Sequence, residues 1–204
     1  MKIKLLAEEK TNQAMLDHLI AGIQEVFPIT VEFVGQDRYT LPESNLLPSH
    51  PREVGSLTGI LGARDPETGD TWYNATPIAS HYTVEDGLLL MIIHYSFFYL
   101  KEPLYIPKFH MVGPSDGTFI YSGEFFQFER VGVVGAKNEP NDNNVRVAAH
   151  ELGHETITEY NHCKNYVGTA KCLMNSPSYN SEEAIQELHM GFCDHCTIQI
   201  KSYR

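Results

Sequence analysis

His150-Glu151-Leu152-Gly153-His154 decides how this chain is read. Residues four apart share one face of a helix, so both imidazoles can reach a single ion. Glu151 then stands beside the metal, where it can take a proton from a metal-bound water. Three fixed residues in five also recur by chance, and the bland alternative is a surface helix carrying two solvated histidines. The flanking residues favour the ordered reading. Asn141-Asp142-Asn143-Asn144 can cap a helix start, and Val145, Ala148 and Leu152 form an apolar stripe. A helix is predicted over Val145 to about Thr156.

Downstream come His162-Cys163, then Cys172-Leu173-Met174, then Cys193-Asp194-His195-Cys196, and these four cysteines are all the chain has. No leading basic-plus-apolar segment is present, so a cytoplasmic location is expected, where thiols stay reduced. Four clustered thiols there predict a tetrahedral four-cysteine zinc site rather than two disulfides. A thioredoxin-like pair at Cys193 and Cys196 is the competitor. It lacks the strand-then-CxxC-then-helix setting, because a helix is predicted before the pair, from Ser181 to Met190. Asn180 with Glu183 forms a capping-box variant for that helix, and Gly191 supplies its stop. His195 leaves open a site of three thiolates and one imidazole. The presence of four cysteines instead makes His195 a supporting residue.

The order HExxH, His-Cys, Cys-x-Met and CxxC, with Asn175 and Ser176 after the methionine, resembles the archaemetzincins, zinc peptidases of metzincin type. The resemblance is good over residues 145–196 and loose over the first 140. It implies an α/β (α+β) metzincin-like zincin fold. A mixed β-sheet with backing and active-site helices would be joined to a small C-terminal zinc-bound subdomain. The chain would be one peptidase domain, 1–204. Residues 1–156, with the active-site helix at about 145–156, would form the N-terminal lobe and residues 157–204 the zinc-bound lobe. His150 and His154 would be catalytic zinc ligands, Glu151 the general base and Met174 the Met-turn residue. Cys163, Cys172, Cys193 and Cys196 would hold a second, structural zinc, and the substrate would be a peptide or protein.

The chain departs from the family pattern HExxHxxGxxHC. Ile157 and Tyr160 stand where its glycine and third histidine belong, and His162-Cys163 comes two residues late. Eight residues separate Cys163 from Cys172, against the family's usual four. Ile157 is β-branched and resists the left-handed turn that glycine makes cheaply. The helix is therefore expected to run on by about half a turn and bend near Asn161, with His162 as third ligand. A Tyr160 phenol is a poor ligand at neutral pH. Glu183 is the fallback ligand, and Tyr160 and Tyr179 are the candidates for stabilising an oxyanion. The rival function is a zinc-stabilised binding module without turnover.

Composition bounds the rest. Twenty-six acids against fifteen bases give a net charge of −11, which argues against nucleic acid and anionic membrane as partners. Strands are predicted at Lys2 to Ala7, Thr30 to Val34, Leu57 to Ala63, Phe97 to Leu100, Phe119 to Tyr121 and Phe125 to Val134. An amphipathic helix runs from Met15 to Val26, ending before Pro28. Residues 37–56 read as a loop with Pro42, Pro48 and Pro51, and residues 64–85 as an insertion. Leu88 to Ile93 is wholly apolar yet too short to span a bilayer, and so reads as a buried strand. His18, His50, His81, His94 and His110 fit no ligand pattern and are expected at the surface or in the core.

Overall fold

The computed structural model describes residues 1–39, 46–47, 62–64, 71–74, 87–94, 96–98, 121–126, 130–157, 162–175 and 182–202. Strand β1 (Lys2–Glu8) leads into helix α1 (Gln13–Val26), which Asn12 caps by accepting from the Ala14 amide. Strand β2 (Glu32–Tyr39) returns beside β1. Strands β3 (Leu46–Leu47), β4 (Gly62–Arg64), β5 (Thr71–Asn74) and β7 (Ser96–Phe98) form a four-stranded sheet in that order. Strands β6 (Leu88–Ile93), β8 (Ser122–Phe126) and β9 (Val131–Gly135) join the first two in a sheet of order β2-β1-β6-β9-β8. All its neighbours are parallel except β8 and β9, which are antiparallel.

The central strand β6 is buried at every residue, as expected of a parallel strand covered on both faces. Helix α2 (Asp142–Thr156) packs beside α1. A Cβ on Gly22 would stand 2.6 Å from Val145 Cγ2, so a side chain there would force the two helices apart. The short hairpin β10 (Tyr166–Val167) and β11 (Ala170–Lys171) follows, then helices α3 (Glu182–Gln186) and α4 (Asp194–Ser202). Among the described residues no helix is long and apolar enough to cross a membrane.

Several elements differ from the sequence reading. β2 runs on to Tyr39, into a segment read as loop, because it pairs with β1 along its whole length. The Tyr39 hydroxyl donates to the Ile92 carbonyl at 3.2 Å, anchoring that end in the core. β3 and β5 likewise fall where a loop and an insertion were expected; of the strand expected at Leu57 to Ala63, Gly62 and Ala63 lie in β4, and residues 57–61 lie outside the described residues. The single strand expected over Phe125 to Val134 is two antiparallel strands, with Arg130 at φ 55° before β9. The helix expected from Ser181 to Met190 stops at Gln186 rather than at Gly191. There the backbone turns to pair with Lys171: Lys171 N donates to Glu187 O at 3.0 Å and His189 N to Lys171 O at 2.7 Å. Asn180 lies outside the described residues.

Candidate metal centres

Helix α2 is fixed at its start by three asparagines. The Asn141 side chain accepts from the Asn143 amide at 2.8 Å. The buried Asn144 side chain accepts from Lys137 N and donates to the carbonyls of Lys137 and Glu139, tying the loop after β9 to the helix. Two turns on, His150 is 1% exposed and its Nδ1 lies 2.7 Å from the Leu173 carbonyl. A carbonyl only accepts, so Nδ1 carries the proton and Nε2 keeps its lone pair. Burial pushes the His150 pKa down to about 3, with His154 and His162 adding to the effect, so the ring is neutral as a metal ligand must be.

The Nε2 atoms of His150 and His154 are 3.2 Å apart. Two nitrogens bound tetrahedrally to zinc at about 2.0–2.1 Å would lie about 3.3 Å apart, so this spacing fits a shared ion. The exposed His162 ring stacks on His150, with centroids 5.2 Å apart and an angle of 14°. One nitrogen from each of the three lies within 4.8 Å of the others, and the group could hold a metal.

Glu151 is buried, at 3% exposure, and the space its carboxylate occupies depends on Gly123 of β8. A Cβ at 123 would meet Glu151 Oε1 at 2.3 Å. Gly153 has the same relation to Met174, whose Sδ would be 2.4 Å from a Cβ at 153. Met174 is thus packed against α2 between the two histidine positions, and its carbonyl accepts from Cys163 N at 2.8 Å. Sequence reasoning missed both glycines and the Leu173 carbonyl. Glycine within a helix or strand, where it costs stability, was the available signal for the first two.

The four cysteines also converge, with their sulfurs all within 4.8 Å of one another and none disulfide-bonded. Cys163 and Cys193 sulfurs are 3.6 Å apart and those of Cys172 and Cys196 3.8 Å. Tetrahedral zinc–thiolate bonds of about 2.3 Å would separate sulfurs by about 3.8 Å, so this group too could hold a metal. Backbone amides already point at the sulfurs: Cys193 N to Cys172 Sγ at 3.3 Å and Asn165 N to Cys163 Sγ at 3.4 Å. Hydrogen bonding from Cys196 and from backbone amides holds the Cys172 thiol down at about 5, while burial pushes Cys163 up to about 11.

Helix α4 starts at Asp194, between the two cysteines of the CxxC pair, so Cys196 lies in its first turn. The pair is nevertheless not isolated, because the other two sulfurs share its space. His195 is exposed, 2.8 Å from Gln199, and is not one of the converging groups. Glu183 is exposed and likewise stands apart from the histidine group. His94 is held in the core between Thr11 Oγ1 at 2.8 Å and the Ala136 carbonyl at 2.7 Å, and burial lowers its pKa. His18 faces Asp142 at 3.1 Å. His50, His81, His110, Tyr160, Asn161 and Tyr179 lie outside the described residues.

No family model and no curated protein matches the sequence. Solved structures do match. An archaemetzincin from Methanopyrus kandleri aligns with a TM-score of 0.60 at 19% identity, covering 98% of this chain and 93% of that one. An archaemetzincin from Archaeoglobus fulgidus, complexed with malonate, aligns with a TM-score of 0.57 at 17% identity, covering 98% of this chain and 100% of that one. The chain has the archaemetzincin fold.

Within the archaemetzincin fold this chain resolves its departures from the family pattern locally. α2 does not run on toward Asn161. It ends at Thr156, and Ile157 leaves in extended backbone, φ −111° and ψ 109°, with its amide donating to Gly153 O. That conformation suits a β-branched residue, so no left-handed glycine is needed at 157. The eight residues between Cys163 and Cys172 form the β10–β11 hairpin, with Gly168 at φ 62°. Cys172 N then donates to Asn165 O at 2.9 Å, closing the base of the hairpin and returning the second cysteine to the first.

Proposed function

We propose that the protein is a zinc-dependent peptidase. The reading rests on three histidine nitrogens that converge within 4.8 Å, with Glu151 buried on the helix that carries His150 and His154. His150, His154 and His162 would hold the catalytic zinc, and Cys163, Cys172, Cys193 and Cys196 a structural one. Zinc in the first group supplies Lewis acidity toward a carbonyl and brings the pKa of water to about 7. His150 presents its Nε2 lone pair because Leu173 holds the proton on Nδ1. Glu151 accepts the proton of the attacking water and passes it to the leaving amine. Met174 packs under the site and sets its floor.

The substrate class follows from the sheet. Among the described residues β8 is the outermost strand of its sheet, and its Gly123 abuts Glu151. An outer strand offers backbone groups with which an extended peptide can pair. The groove would lie between residues 1–156 and 157–204, acting as two lobes of one domain. Four free thiols suit a reducing compartment, which supports a cytoplasmic location. A binding module that never turns over gives no reason for burying a carboxylate in the space that Gly123 opens. The test is cleavage of a mixed peptide library by zinc-loaded protein. Hydrolysis that a chelator abolishes and added zinc restores is expected. A fully zinc-loaded protein that cleaves none of the peptides contradicts the reading.

A further inference from the structure

Two short segments of chain each join the two metal-binding groups. His162 and Cys163 are consecutive, one in the histidine group and one in the cysteine group. Cys172, Leu173 and Met174 are consecutive too. Cys172 supplies a sulfur, the Leu173 carbonyl accepts from His150 Nδ1 at 2.7 Å, and Met174 fills the space over Gly153. The segments are bonded to each other, Cys163 N to Met174 O at 2.8 Å. Leu173 N in turn donates to Gly191 O at 3.1 Å, two residues before Cys193. The carbonyl that fixes the His150 ring therefore sits one residue from a sulfur of the other group, in a segment bonded to Cys163 on one side and to Gly191, two residues before Cys193, on the other.

We propose that the four-cysteine group is a positioning element for the three histidines, so that a cation held by the thiolates raises the zinc affinity of the histidine group. The inference rests on the reading that the histidines hold zinc. A ligating imidazole is oriented by the hydrogen bond its other nitrogen makes, and losing such a partner costs about 10–100-fold in metal affinity. Here that partner is a backbone carbonyl, and no side chain can substitute for it. Its place depends on where Cys172 is held, and His162 depends on Cys163 in the same way. Without a cation, four sulfurs at these spacings share protons and mutual repulsion. With one, both segments are pinned. Linkage requires the reverse effect as well: zinc on the histidines tightens the thiolate site by the same factor.

Cys196 lies on α4, outside both shared segments, so Cys196→Ser removes one sulfur without altering residues 162–163 or 172–174. Zinc binding to the histidine group should weaken about tenfold or more in this variant, read by competition with a chelator. A second comparison uses wild-type protein stripped of metal and reloaded with one equivalent of cadmium, which thiolates select. Cadmium loading should restore the zinc affinity of the histidines and sharpen the nitrogen-15 signal of the His150 Nδ1–H, which decides the matter even if Cys196→Ser folds poorly. Equal zinc affinity with the cysteine group empty or filled overturns the proposal. A wild type whose histidines take up no zinc overturns it together with the peptidase reading. Coupled metal binding without peptide hydrolysis supports the proposal and contradicts only the peptidase reading.

Discussion

Gly123 on β8 is the surface against which Glu151 of α2 rests: a Cβ at 123 would stand 2.3 Å from Oε1, 2.6 Å from Cγ and 2.7 Å from Cδ. No rotation of one terminal atom relieves all three contacts. Gly123→Ala should therefore displace the carboxylate while leaving the histidines and cysteines untouched. We expect zinc content to stay at two per chain while peptide hydrolysis falls by about tenfold or more, the scale on which small misplacements act. Metal analysis and turnover on one preparation check this, and an unchanged rate would show that Glu151 does not depend on Gly123.

Met174 tests the packing against α2 that the proposed site relies on. It is buried, at 2% exposure, and fills the space over Gly153. Truncation to alanine leaves a cavity and should cost about 2–5 kcal/mol, whereas Met174→Leu, close in volume, should cost less than about 1.5 kcal/mol. Urea midpoints of the two variants should differ accordingly. Equal midpoints would mean that the packing seen at Met174 contributes little.

Much of the site was legible in the sequence because its signals are local or compositional. The spacing of His150 and His154 is a helix property, and a count of four cysteines in one segment already limits what they can do. His162 could be preferred to Tyr160 on ligand chemistry alone, and the structure places its ring against His150. What could not be read depends on contacts distant in sequence. Gly123 meets Glu151 across 28 positions and Leu173 meets His150 across 23, and neither relation leaves a periodic trace. The length of β2 was misjudged for a similar reason. Gly35, Gln36, Asp37 and Arg38 have weak strand propensity, and their backbone pairing with β1 outweighs it. The end of α2 at Thr156 was legible, but the exit from it was not, because Ile157 was weighed only against a left-handed turn when an extended exit was also open to it.

Glu8 gives the protein a pH dependence outside the metal centres. It ends β1 at 9% exposure, and its Oε1 has no hydrogen-bond partner among the described residues. Burial pushes its pKa from 4.5 up to about 7, with Lys10 opposing. The folded protein thus keeps a proton that the unfolded chain releases above 4.5. The associated stability is fully present below about 4.5 and is lost as pH rises through about 7. Glu8→Gln is neutral throughout, so it should match the wild type near pH 4.5 and exceed it by about 3 kcal/mol near pH 8. Taking the difference between variant and wild type at each pH cancels metal effects common to both. A difference that does not change with pH would contradict the burial of this carboxyl.

The third ligand can be tested by stoichiometry. His162→Ala should leave one zinc per chain of two, and Tyr160→Phe should leave both. Native mass spectrometry counts the ions directly. Loss of one zinc from Tyr160→Phe, with His162→Ala retaining two, would assign the third ligand to the phenol.

The most direct test of the account is peptide hydrolysis by Glu151→Gln measured on protein shown to hold two zincs. Glutamine keeps the shape of the side chain over Gly123 and removes only its capacity to accept a proton. Folding and zinc content should match the wild type, and turnover should fall by about a hundredfold or more, as expected for loss of a general base. Wild-type turnover in the metal-replete variant would contradict the role assigned to Glu151 and the hydrolytic mechanism built on it.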